Sequence, residues 1–190
     1  MLSARCVVKM NLLKAAPTTF SDQGLKDAVR VADEKYRAQA KTIWATQGAA
    51  SGTKWKDLDP KYKRWKAGVQ KTMRAAGRVS RLKKWIVSDL QGPEIKAVST
   101  DVLVLHGNMR RAFAYKTENH IAEIDVYRKQ VRITLGATGP EYWGYHARGE
   151  GNNPKRDPNR RTDAQKEEIK DAAMGVLLAD FNRRTRPGGR

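Results

Sequence analysis

The sequence predicts an α+β protein: an antiparallel β-sheet flanked by a long N-terminal helix, a basic middle helix and a C-terminal helix. Three observations predict it. Leu25, Ala28, Val29, Ala32, Tyr36, Ala40 and Ile43 recur at helical spacing. Val131, Ile133 and Leu135 alternate with Arg132 and Thr134, as in a strand with one wet face. Thr162-Asp163-Ala164-Gln165 is a capping box, and Ile169, Ala172, Ala173, Val176, Leu177 and Phe181 follow on one helical face.

Taken in order, residues 1–20 form an N-terminal arm or strand, with 4–13 its apolar stretch. Residues 21–184 form one α+β domain, and 185–190 a disordered basic tail. Ser21 is the predicted N-cap of the first helix, and Asp22 suits its first turn. That helix runs to about Gln47, where Gly48 closes it. Asp59 before Pro60 reads as the N-cap and first position of the middle helix, which carries Tyr62, Trp65, Val69 and Met73. Gly77 breaks it, and a further amphipathic piece, Val79 to Leu90, ends at Gly92-Pro93.

Val102 to Leu105 is a short apolar strand or turn, and Gly107 to Arg111 one helical turn. Phe113 to Tyr115, Ile121 to Tyr127 and Val131 to Leu135 read as antiparallel strands. Ile121, Ile124 and Val126 alternate imperfectly, which predicts a bulge. Tyr127 to Gln130 is the hairpin loop. Gly136 to Arg161 is a loop rich in aromatics, and the last helix after it is expected to pack on the sheet, Phe181 included.

The chain has 190 residues, 39% of them apolar, and a net charge of +18 from 38 basic and 20 acidic side chains. Such a field favours polyanions: DNA, RNA or an acidic protein surface. Between Lys61 and Lys84 there are ten Lys or Arg and no acid. Lys61, Lys63, Arg64, Arg78, Arg81, Lys83 and Lys84 are therefore the candidate partner-facing charges. The aromatics of this region, at i, i+3, i+7 and i+11, fit a core face better than a base-stacking platform.

Cys6 is the sole cysteine, so an intrachain disulfide is excluded. No apolar run has the length of a membrane helix. His106, His120 and His146 are far apart, without HExxH or a cysteine pair, and no metal or cofactor is expected. No P-loop, dinucleotide fingerprint or nucleophile elbow is present. Glu118 and Glu123 read as solvent-facing strand residues. The expectation is a protein without catalysis.

Glu141 to Gly149, followed by Pro154-Lys155-Arg156, is the densest cluster of recognition residue types. Tyr142, Trp143 and Tyr145 are typical of interfaces, and Arg148 and Arg156 suit carboxylate pairs across a boundary. The alternative is a loop folded back over its own sheet.

Four elements then stand in a shared order. Trp55-x-x-Leu58, with Tyr62 and Trp65-Lys66, resembles the "W-x-x-L, Y, K" start of the tailed-phage virion-morphogenesis or tail-completion family. Leu105-His106-Gly107-Asn108-Met109-Arg110 resembles its "L-x-G-x-L-R" turn. Tyr142 to Gly149 resembles "Y-A-x-x-H-x-x-G", and Pro154-Lys155-Arg156 its "P-x-R". The likeness spans roughly residues 22 to 184. It departs from the family in Asp157-Pro158-Asn159, where an apolar residue is usual, and in a longer stretch from Arg78 to Thr100.

The resemblance implies a structural virion protein of the phage neck, similar to head–tail connector and tail-terminator folds. It implies a homo-oligomeric ring, commonly a hexamer, that completes the tail top. Neighbouring neck or tail-tube proteins would be its partners, and DNA would pass through its channel. Tyr142, Trp143, Tyr145, His146, Arg148 and Arg156 would lie at the subunit interface. The competing class is a basic module that binds DNA or RNA without reading sequence.

Overall fold

One strand, residues 130–139, has neighbours on both sides. The computed structural model describes residues 2–11, 20–57, 60–61, 108–127, 130–139, 146–149 and 155–185. The elements are β1 (Leu2–Asn11), α1 (Asp22–Ala45), a 3-10 turn (Ala49–Ser51), α2 (Asn108–Ala114), β2 (His120–Tyr127), β3 (Gln130–Gly139) and α3 (Asp163–Thr185). The sheet order is β1-β3-β2, with both pairings antiparallel. The fold is thus α+β, with the expected long N-terminal and C-terminal helices. The expected middle helix falls almost wholly outside the described residues; only Pro60 and Lys61, which are helical, lie within them.

Period-two alternation sends one set of side chains inward. Cys6, Val8 and Met10 of β1 pair across the ladder with Leu135, Ile133 and Val131 of β3, and all six are buried. Ala28, Ala32, Tyr36, Ala40 and Ile43 of α1 join them in one core, as do Ile169, Ala173 and Leu177 of α3. The main neighbour of α3 is α1, and its contact with the sheet is a smaller one to β1. The helix thus packs on the sheet at β1, as expected, but rests mainly on α1. Phe181 accordingly lies half-buried at the core's margin.

Two expectations are corrected. Phe113 and Ala114 belong to a helix, not a strand. Met109, Ala112 and Phe113 sit at i, i+3 and i+4, and all three are buried, which only a helix can arrange. The predicted bulge is absent: β2 and β3 pair residue for residue from His120 with Ala137 to Tyr127 with Gln130. Ile121 broke the apparent alternation because it belongs to the sheet's second face. It is buried there, outside the main core.

The helix ends were legible. Ser21 caps α1, its Oγ accepting from Gly24 N at 2.9 Å. The α1 C-terminus turns through Gln47 and Gly48 at positive φ. Trp55 folds back there, its ring edge-on to Trp44 at 5.0 Å. The capping box opens α3 in both directions: Thr162 N donates to Gln165 Oε1 at 3.0 Å, and Gln165 N to Thr162 Oγ1 at 3.2 Å.

Asp180 of α3 latches onto the N-terminus of α1. Its carboxylate accepts from Ser21 N and Ser21 Oγ, both at 2.8 Å. The backbone hydrogen bond from Ser21 is the main cause that holds this carboxyl below its ordinary range. The approach is close because residue 24 is glycine: a Cβ there would lie 2.5 Å from the Asp180 carboxyl. Gly24→Ala gains about 1 kcal/mol of helix propensity. The displaced latch outweighs it, because overpacking costs typically about 1–3 kcal/mol. The expected outcome is a lower melting temperature in a thermal denaturation; a higher one would show that Asp180 yields freely.

Candidate functional site

Residues 146–148 form a helical turn that ends on Gly149 at φ +76°. A side chain at 149 would press on Lys155, 2.9 Å from its Cβ and 3.0 Å from its backbone N. Glycine therefore lets the two described stretches of the aromatic loop touch. They are joined there by Arg156 N, which donates to His146 O at 2.7 Å.

Arg156 then closes the structure onto the segment after Trp55. Its Nε donates to Lys56 O at 3.0 Å, and one terminal nitrogen to Lys56 O at 2.9 Å and Asp57 O at 3.3 Å. The side chain is buried. The guanidinium expected to pair with a carboxylate across a subunit boundary thus binds carbonyls of its own chain. Backbone carbonyls of its own chain need donors, and the planar guanidinium supplies several at once. His146 is half-buried beside it, and its Nδ1 has no hydrogen-bond partner among the described residues. Burial, and then the Arg156 charge, push the His146 imidazole below its ordinary value near 6.5.

Of the other predicted site residues, Arg148 and Lys61 are exposed. Tyr142, Trp143 and Tyr145, and with them Lys63, Arg64, Arg78, Arg81, Lys83 and Lys84, lie outside the described residues. Glu118 and Glu123 are exposed, as expected. The structure thus brings His146, Gly149 and Arg156 together with the Trp55 segment into one clasp.

A second polar cluster was not predicted. Asp33 is buried on α1 and accepts from His120 Nε2 at 2.5 Å and from Arg37 Nε at 2.9 Å. His120 Nδ1 faces Ala112 O of α2 at 3.1 Å. Both imidazole nitrogens are thus committed within the fold. Burial alone raises the Asp33 carboxyl; the hydrogen bond and charge of His120, then Arg37, outweigh it and hold the carboxyl low.

Beside this pair, Tyr36 Oη donates to Asn159 Oδ1 at 2.5 Å. The buried Arg161 guanidinium lies 4.4 Å from the Tyr36 ring centroid and donates to Pro158 O and Arg160 O. Burial pushes the Tyr36 hydroxyl up and the Arg161 guanidinium down.

The chemistry available to this cluster is structural. His120 has a side chain 3% exposed and both nitrogens committed, so it cannot meet a substrate as a base. Among the described residues, no group of three His, Cys, Asp or Glu side chains could hold a metal ion. Nor is any helix among them long and apolar enough to cross a membrane. One sequence signal pointed to the cluster: Asp33 falls within the apolar stripe of α1, between Ala32 and Tyr36.

Asp33→Ala leaves the buried His120 Nε2 and the Arg37 Nε without their acceptor, and abandoning a buried hydrogen-bonding group costs about 1–3 kcal/mol. Chemical denaturation is the check; a loss under 1 kcal/mol would mean that water replaces the carboxylate. The pH dependence has two windows. A carboxyl lowered in the fold stabilises it fully above about 3.8, and the gain is lost as pH falls through the lower native value. The lowered His146 stabilises above about 6.5, and its contribution is lost as pH falls below that. His146→Gln is expected to remove the upper slope of stability against pH and leave the lower one unchanged.

The chain matches no family model, no curated protein and no solved structure.

Proposed function

We propose that this chain is a structural virion protein of a tailed-phage neck. It forms a ring that completes the tail top and joins it to the head around the DNA channel. In this reading it is no enzyme and needs no cofactor. It resides in the virion at the neck and, during assembly, in the host cytoplasm. Its partners are further copies of itself and the neighbouring neck or tail-tube proteins.

The observation that carries the proposal is the convergence of separate motifs. The tryptophan of the first motif, the H-x-x-G of the third and the arginine of the fourth lie far apart in the chain. In the fold they form one clasp: Arg156 binds the carbonyls of Lys56 and Asp57, just past the buried Trp55, and its backbone N–H binds His146. Residue types shared by resemblance thus have a joint physical task. That task is to tie His146, which follows Tyr142, Trp143 and Tyr145 in the chain, to the segment after Trp55. Aromatic residue types next in sequence to such an anchor are suited to subunit contact.

The charge fits the same place. A ring around DNA gains from a positive field. A ring that lets DNA slide gains nothing from gripping each phosphate. The run from Lys61 to Lys84 is accordingly assigned to outer or axial surfaces that meet acidic neighbours. A second reading, a basic module for DNA or RNA, is favoured by the net charge of +18 alone.

The test is sedimentation and direct imaging of the purified chain across a range of concentrations. Rings, sixfold in the expected case, carry the neck reading. A chain that stays monomeric and binds duplex DNA favours the second reading. Six to ten phosphate contacts would then cost it about 10³–10⁵ in affinity between 50 and 200 mM salt. A clasp variant, Arg156→Ala, is expected to weaken assembly and lower stability together, by about 1–3 kcal/mol for the carbonyls it abandons.

A further inference from the structure

The two outer edges of the sheet carry opposite charge. On the sheet's second face β1 presents Arg5 and Lys9, and β2 presents Glu123 and Asp125; all four are exposed. Across the sheet, Lys9 aligns with Arg132 and then Asp125, while Val7 aligns with Thr134 and then Glu123. Among the described residues, no further strand lies beyond β1 or β2. Neither strand holds a proline, and each pairs with β3 without a break in register.

Apolar side chains accompany these charges. Val7, Val126 and Tyr127 are 42%, 42% and 48% exposed, and they are three of the five large apolar side chains that stand out among the described residues. Two straight edges with exposed apolar side chains are a hazard that proteins ordinarily blunt. Charges of one sign on both edges would block every edge-to-edge contact. Opposite signs block only some of them.

We propose that β2 of one copy pairs with β1 of the next, so that the sheet continues from subunit to subunit. The occupant of each edge is a second copy of this chain. An isologous dimer through β1 would set Arg5 and Lys9 against themselves, and one through β2 would do the same with Glu123 and Asp125. Like charges placed opposite destabilise a strand pair. The head-to-tail contact sets basic against acidic. It is also the kind of contact that generates a ring when its rotation closes. Since β1 and β2 both run antiparallel to β3, they run parallel to each other, and the junction is a parallel strand pair. This inference rests on the ring reading and adds the surface by which the ring closes.

The test is a charge exchange on the intact chain. One variant carries Glu123→Lys and Asp125→Lys; the other carries Arg5→Glu and Lys9→Glu. All four positions are exposed, and circular dichroism checks that both variants keep the fold. Sedimentation velocity then measures assembly. Each variant alone is expected to need at least a tenfold higher concentration than the unaltered chain. An equimolar mixture regains the original assembly, because every junction again joins opposite charges. Variants that assemble like the unaltered chain, or a mixture that does not recover, overturn the junction and leave the ring. An unaltered chain that remains monomeric overturns both.

Discussion

A carboxylate in a hydrophobic core must be answered, and much of this fold is the answer to Asp33. Its helix, α1, touches α3, α2, β2 and β3. The acid sits in the buried stripe of that helix, where an unpaired charge would be prohibitive. Arg37 supplies the counter-charge, His120 at the first position of β2 a second hydrogen bond, and Ala112 of α2 holds the other ring nitrogen. Through His120 the buried carboxylate thus ties β2 and α2 to α1.

The same economy governs the loop before α3. Backbone carbonyls outside helices and strands also take partners, and Arg156 satisfies those of Lys56 and Asp57 from far along the chain. Arg161 does likewise for Pro158 and Arg160, with its plane against Tyr36. In a strongly basic chain, two arginines are thus turned inward as structural fittings. On the second face of the sheet the exposed charge is sorted: acids on β2, bases on β1.

What could be read from the sequence is what local chemistry decides. Ser21 and the Thr162–Gln165 pair satisfy helix-end donors within three or four residues, so spacing alone reveals them. The alternation of Val131, Ile133 and Leu135 is equally local. Phe113 was misread because an aromatic before a strand looks like part of it, while its real partners, Met109 and Ala112, reveal a helix only when the burial of all three is known. Ile121 mimicked a bulge because the second face of the sheet is covered where it lies. At the candidate site, the grouping of His146, Gly149 and Arg156 was legible as a motif. The direction of Arg156 was not, since its acceptors are backbone carbonyls, which carry no residue signature. The tie between Asp33 and His120 spans 87 positions. Only the misfit of an acid in an apolar stripe announced it.

The pairing of β1 has a consequence for the order in which the molecule acquires its shape. The strands β2 and β3 are neighbours in the chain and can join as a hairpin at small entropic cost. The strand β1 is made early but can enter the sheet only when β3 exists, since Val8 must find Ile133. Until then a strand with Cys6, Val8 and Met10 on one side is exposed while the remainder of the chain is synthesised. Long-range pairings of this kind slow folding and invite aggregation. Arg5 and Lys9 stand on its other side, and in that interval they act as guards: nascent chains that carry the same positive charges repel one another before any of them is folded.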